Sequence, residues 1–445
     1  MSEDLISRDL RHIWHPCMQM KDAENFPPLE IVGAEGSYLH LKDGSRLIDA
    51  VSSWWCKSLG HGHPRLRAAL LQQAHSFEHV MGSNTSTQVL VELSERLATL
   101  CPPLDKIFYA GDGSMAVEIA IKLALHAQQL KGHPNKTRFI ALENGYHGES
   151  GLALGLTDLG LYRKPYASIL PEPFLLRNLP YVTSTGDPLW NSCESVWPAL
   201  EAQLAPWAET TAALIVEPVL QGAGGMRLYS PDLLIRLRNW TEKHGICLMV
   251  DEILTGFWRT GQWLGIDHAG IIPDLICLSK ALTGGWLPFS ATLIHSEIYD
   301  LFYSDYGKGR DFLHSNTYSG NALGAAVALE AMKLYAEPEM RVGVGSLAKK
   351  LESAWNQVVV ASGGLDSPRF LGGMVAADLK IPENLRHERV GFQIFQAAIN
   401  RGALLRNLGN TLYWLPPLNS TTEVLDRLAE ITAQSIKAVR QKLDF

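Results

Sequence analysis

C-L-M-V-D-E-I-L-T-G-F-W-R-T-G (residues 247–261) and P-D-L-I-C-L-S-K-A-L-T-G-G (residues 273–285) share one design. Each opens with a short apolar run and ends it on an ionisable residue. The first, Ile246 to Val250, runs into Asp251; the second, Leu275 to Leu278, runs into Ser279 and Lys280. Short apolar runs closed by turn residues read as buried strands of a parallel sheet. Ligands of open α/β sheets sit outside the carboxyl ends of the strands. Asp251 and Lys280 are therefore expected at the same rim of one sheet. Taken singly, the Asp-Glu also reads as a helix cap, a Walker-B-like acid or a surface turn, and the Ser-Lys as a solvated strand end. Taken together, a carboxylate and an amine on one rim suit pyridoxal phosphate, which needs a lysine to hold it and an acid for its ring nitrogen.

Outward from this stretch the pattern becomes a βα series. K-I-F-Y-A from Lys106 is a strand, G-D-G-S (111–114) a turn, and M-A-V-E-I-A-I-K-L-A-L-H-A a helix. R-F-I-A-L-E, A-A-L-I-V-E-P and S-A-T-L-I supply further strands. Strands alternating with helices predict an α/β fold with a mostly parallel sheet. Helices are expected over about 64–73, 86–98 and 321–335. Before the series, residues 1–30 read as irregular, broken by Pro16, Pro27 and Pro28. An antiparallel meander turning at Asp43-Gly44 follows, and S-S-W-W-C-K-S-L-G-H-G-H-P reads as an irregular loop. The expected division is a segment 1–55 packing with a small domain, a large domain 56–335, and a smaller α+β domain 336–445.

Bulk properties narrow the function. The 445 residues allow a substantial core. A formal charge of -7 argues against nonspecific nucleic-acid binding. No apolar run is long enough to span a membrane. The charged start M-S-E-D-L-I-S-R-D-L-R-H has no apolar core of a secretory signal, so a cytoplasmic protein is expected. Six cysteines without C-x-x-C fit free thiols, and the histidines show no H-E-x-x-H, so no metal is expected.

Two more turns follow strands. G-D-G-S opens a helix, where free N–H groups and the helix dipole favour an anion. Gly113 allows close approach, and Ser114 offers a hydroxyl and the N-cap; an ordinary capped helix reads the same way. N-G-Y-H-G (144–148) places Tyr146 where its ring could stack on a flat cofactor, or form a plain surface turn. Q-G-A-G-G (221–225) has no helix behind it and reads as a tight structural loop.

D-E-I-L-T-G-F-W-R-T-G and S-K-A-L-T-G-G together resemble the class III aminotransferases, pyridoxal-phosphate enzymes of fold type I. The resemblance implies Lys280, Asp251 and Tyr146 as catalytic residues, with Lys280 and Tyr146 also facing substrate. It implies Gly113 and Ser114 on the cofactor phosphate. It implies that Asn316 and Thr317, in H-S-N-T-Y-S-G-N-A-L-G, reach the phosphate of a neighbouring subunit's cofactor, so a homodimer is expected; this loop departs from the family's commoner G-P-T. R-H-I-W-H-P, D-A-V-S-S-W-W and E-P-V-L-Q-G-A-G-G-M-R are similar to the biotin-synthesis branch, whose substrates are S-adenosylmethionine and 8-amino-7-oxononanoate. That branch implies Trp54, Arg406, Ser315 and Cys17 beside substrate, with Arg406 on the acceptor's carboxylate; the pair Trp54-Trp55 also reads simply as two core tryptophans, and Trp55 is expected in the core. Arg259 is a second candidate for substrate contact. Cys17 stands where the branch often has tyrosine, and Asn407 where proline commonly follows the arginine. Two alternatives stay open: an ω-aminotransferase of lysine, ornithine or 4-aminobutyrate, and a non-catalytic cofactor-binding protein.

Overall fold

A seven-stranded sheet runs in the order Lys106–Ala110, Ser290–Ile294, Leu275–Leu278, Cys247–Asp251, Thr211–Val216, Arg138–Leu142, Phe174–Leu176 in the computed structural model, which describes residues 4–445. Ser290–Ile294 pairs antiparallel with both neighbours, and every other neighbouring pair is parallel. Four of these strands are buried at every residue. That is why they read as continuous apolar runs rather than alternating ones. Phe174–Leu176 is too short, and too close to Pro171 and Pro173, to show a period. The helix Gly113–Leu130 buries ten of its residues against the sheet and its neighbours, and the helix Ala322–Tyr335 likewise buries ten.

Register sets the rim. Asp251 pairs with Cys277 in the parallel ladder, so the chain leaves both strands at nearly the same height. Lys280 follows three residues after Cys277, at the start of a 3-10 turn Lys280–Thr283.

The C-terminal part adds an antiparallel sheet ordered Leu365–Leu371, Met374–Leu379, Thr411–Trp414, Arg406–Leu408. Trp355, from the long helix Pro338–Ser362, packs edge-on against Trp414 at 4.7 Å. The N-terminal meander Ile31–Glu35, Tyr38–Leu41, Arg46–Asp49 gains a fourth strand from this part. Ala403 and Leu404 pair parallel with Ile48 and Asp49. Phe26 also packs on Phe392 and Phe395, and Arg389 forks onto Asp22.

Three expectations need correction. Residues 1–30 are not wholly irregular. Leu5–His12 is a helix capped by the Asp4 side chain, and Met20–Glu24 is a 3-10 turn; residues 1–3 lie outside the described residues. The helix buries none of its residues, and its eight residues are shorter than the window in which periodicity marks a helix. Second, Arg259 does not face substrate. It is 2% exposed, and Nη1 donates to the carbonyls of Gly373 and Pro416, both at 2.9 Å. It is a strap to the C-terminal part.

Third, S-S-W-W is ordered, as one left-handed helical turn. Ser52, Ser53, Trp54 and Trp55 have φ of 48°, 42°, 72° and 73° without a glycine among them. Such backbone costs about 1–2 kcal/mol per residue. Asp49 compensates by accepting from Ser53 N at 3.0 Å and Ser53 Oγ at 2.7 Å, with His61 Nε2 at 2.8 Å. Ser52 Oγ adds a bond to the Leu415 carbonyl at 2.7 Å. Propensity has no signal for such a turn. Its effect is to point the two tryptophans apart: Trp55 is 5% exposed and Trp54 45%.

Candidate functional site

The sheet rim opens into a cavity of about 490 Å³. Asp251, Lys280, Tyr146, Gly113 and Ser114, all expected from the sequence, line it. Two separate strand ends, a helix start and a loop therefore converge as the strand-end rule required.

Asp251 is 4% exposed and held on both oxygens. Oδ1 accepts from the Ile253 amide at 3.1 Å, and Oδ2 lies 2.9 Å from His147 Nδ1. A carboxylate fixed in this way presents charge without moving. Lys280 sits at φ 45° with its Nζ 4.8 Å from the centre of the Trp55 ring. Burial pulls its amine below the ordinary lysine value, against the opposing pull of Asp251 and Glu217. A lowered lysine has more free amine at neutral pH, which suits a nucleophile and proton carrier. Trp55, expected only as core, is thus also the floor under this amine. Its indole is set by a 2.9 Å bond from Nε1 to Tyr413 Oη.

The helix start differs from expectation in one detail. Asp112, not Ser114, is the N-cap, accepting from the Met115 amide at 3.0 Å. Ser114 Oγ instead accepts from the amides of Glu149 and Ser150 at 3.2 and 3.0 Å, tying the Tyr146 loop to the helix. Gly148 permits this approach. A Cβ there would lie 2.3 Å from Ser114 Oγ, and its φ is +124°. Gly113 and Ser114 remain first-turn residues on the cavity, where backbone N–H groups and the dipole favour a phosphate.

Sequence reasoning missed Glu217 and His147. Glu217 is 5% exposed, lines the cavity and accepts from the Tyr146 amide and the Gly222 amide, each at 2.9 Å. Burial raises its carboxyl to about 7. It follows the strand Thr211–Val216, so the rule that selected Asp251 would have found it too. His147 neighbours Tyr146 in the same motif, and no sequence signal separates which ring turns inward.

A second group lies together but outside the lining set. The Arg406 guanidinium sits 4.4 Å over the Trp54 ring. Arg406 is opposite Tyr413 in the antiparallel register, and Tyr413 holds Trp55, so Arg406 is tied to the cavity floor through one cross-strand pair. Cys17, at φ 54°, has its Sγ 3.9 Å from Tyr162 Oη, and the Tyr162 ring meets Tyr146 edge-on at 6.2 Å. Ser315, Asn316 and Thr317 do not line the cavity of their own chain. Thr317 is exposed, and its carbonyl is 2.9 Å from His79 Nε2. Among the described residues no three histidines, cysteines or acids gather as a metal site.

A lysine over an indole, a braced acid on the neighbouring strand and a helix start for a phosphate fit pyridoxal phosphate in donor set and in room. This is the arrangement of a fold-type I pyridoxal-phosphate enzyme. Residues 18–436 match the family model described as aminotransferase class-III, and the chain belongs to that family. It is a pyridoxal-phosphate-dependent aminotransferase. The chain is 38% identical over 94% of its length to the adenosylmethionine-8-amino-7-oxononanoate aminotransferase of Synechococcus elongatus, covering 97% of that protein. It is 36% identical to the Helicobacter pylori protein of the same name, with 95% of each covered. Among solved structures, the enzyme of that name from Methanocaldococcus jannaschii aligns with a TM-score of 0.89 at 27% identity, with 98% of each chain covered. An omega transaminase from Pseudomonas jessenii in complex with PMP aligns with a TM-score of 0.90 at 26% identity and 99% coverage of both.

Proposed function

We propose that the chain transfers the α-amino group of S-adenosylmethionine to 8-amino-7-oxononanoate, giving 7,8-diaminononanoate for biotin synthesis. The observation that carries it is the near full-length similarity to relatives of that name at 31–38% identity. The pairing of Arg406 with Trp54 supports it locally. A long acceptor with its carboxylate remote from the reacting ketone needs an apolar wall and a distant cation, and these two residues offer both.

When bound, pyridoxal phosphate supplies an electron sink for the charge left when a proton leaves the substrate carbon. The chain supplies the rest. Lys280 would hold the cofactor by its amine, and its free amine would carry the proton away from and back to substrate. Asp251, braced by His147 and Ile253, would pair with the cofactor's ring nitrogen and keep it protonated. Gly113 and Ser114 would hold the phosphate and Tyr146 would meet the ring, its hydroxyl donating to Glu149 at 2.9 Å. Mixing cofactor-loaded protein with single amines tests the donor. S-adenosylmethionine is expected to bleach the bound cofactor's absorbance in one turnover. Bleaching by lysine or 4-aminobutyrate alone would favour the ω-aminotransferase reading, to which the Pseudomonas jessenii structure lends equal fold support.

The reading extends to assembly. The exposed Ser315, and Asn316 and Thr317 beside it, stand away from their own cavity and are proposed to complete the partner's, Asn316 and Thr317 at the phosphate and Ser315 at the substrate. The division 1–55, 56–335 and 336–445 is proposed with it, the first segment riding on the last through the Ile48–Ala403 pairing. We place the protein in the cytoplasm as a homodimer; among the described residues no helix is long and apolar enough to cross a membrane. Sedimentation equilibrium is expected to give twice the chain mass, and a fully active monomer would contradict the shared site.

A further inference from the structure

Tyr162 stands between Cys17 and the cavity-lining Tyr146. Its helical turn Gly160–Arg163 is pinned by Arg163, whose Nη2 donates to the Pro171 carbonyl at 2.9 Å. The ring packs edge-on against Tyr146, which lines the cavity. The Tyr146 hydroxyl is already committed to Glu149. Among the described residues, the Tyr162 hydroxyl has one contact, the Cys17 thiol at 3.9 Å. Sulfur at that distance is a weak partner, so the hydroxyl is available. Burial and the neighbouring Cys17 and Glu149 keep it protonated, above its ordinary value, while the Arg406 charge pulls the other way. It is therefore a donor held within the field of a guanidinium.

A donor packed against a cavity-lining ring, with a cation close enough to act on it, is the recognition chemistry of a carboxylate. We infer that the Tyr162 hydroxyl is a substrate-contacting donor that shares the acceptor's remote carboxylate with Arg406, and that it sets the preference for a free acid over a neutral chain. This rests on the proposed acceptor. Trp54 and Cys17 offer less: the first meets Arg406 with its ring face, and the second carries only a weak thiol donor.

The test compares 8-amino-7-oxononanoate with its methyl ester in the cofactor-loaded wild type and in Tyr162→Phe. The wild type is expected to favour the acid. Tyr162→Phe is expected to raise the KM for the acid about tenfold. It should leave kcat, the ester and the S-adenosylmethionine half-reaction unchanged, so the acid-over-ester preference shrinks by the same factor. Equal losses on acid and ester, or a loss confined to kcat, would make Tyr162 a structural residue and overturn the inference. An unchanged acid KM would overturn it as well, while leaving the reaction assignment intact. Failure of the wild type to aminate the acid would instead contradict the proposed function and remove the inference with it.

Discussion

Lys280→Ala is expected to fold, to bind pyridoxal phosphate without a covalent bond, and to lose transamination. The variant keeps a Cβ, so the left-handed backbone at φ 45° is no more strained than before. Nothing else in the cavity can replace the amine. The other lining residues are acids, hydroxyls, apolar and aromatic side chains, glycines and the Cys56 thiol, which burial keeps protonated, with His147 already committed to Asp251. Proton transfer by a positioned side chain contributes about a hundred- to ten-thousandfold, and the covalent attachment is lost in addition. Turnover is therefore expected to fall by at least about a thousandfold. Borohydride reduction of the wild type followed by peptide mapping checks the assignment: the label belongs on the peptide of S-K-A-L-T-G-G. A label on Lys57, which sits 5.5 Å from the Trp286 ring at the edge of the same cavity, would move the site.

The second large effect is expected at Arg406. Its charge lies over Trp54 at 4.4 Å, a contact worth about 0.5–1 kcal/mol at an exposed site. That contact limits the arginine's freedom before substrate arrives. Losing a charge-assisted bond to a carboxylate costs about 1.5–3 kcal/mol. Arg406→Ala is accordingly expected to raise the acceptor KM about ten- to a hundredfold, with a smaller effect on the donor half-reaction. Single-turnover kinetics of each half-reaction in the variant separate the two. Equal damage to both would place Arg406 in cofactor binding rather than acceptor recognition, and no damage would remove it from the site.

Much of this site was legible because it obeys one rule applied at several strands. Asp251 and Lys280 end adjacent parallel strands, and parallel register left them little freedom to lie elsewhere. Gly113 and Tyr146 also follow strands of the same sheet. Glu217 obeys the same rule, but the Pro218 and Q-G-A-G-G loop behind it reads as structural and gives the acid no partner in sequence. The tryptophans were harder. Their roles depend on a left-handed turn held locally by Asp49 and from afar by the Ser52 bond to the Leu415 carbonyl, which no local pattern encodes. Arg259 misled for a related reason. It sits inside a motif rich in site residues, yet its guanidinium serves carbonyls more than a hundred positions away. Tyr162 gave no signal at all: a four-residue turn in an irregular stretch became notable only when folding brought it against Cys17 and Tyr146.

The most direct measurement is the complete reaction. Cofactor-loaded protein is incubated with S-adenosylmethionine and 8-amino-7-oxononanoate, and the products are followed by mass spectrometry. The account predicts 7,8-diaminononanoate formed in step with the 2-oxo acid of the donor, and none with Lys280→Ala. Absence of the diamine in protein that readily aminates other ketones from lysine or 4-aminobutyrate would contradict it.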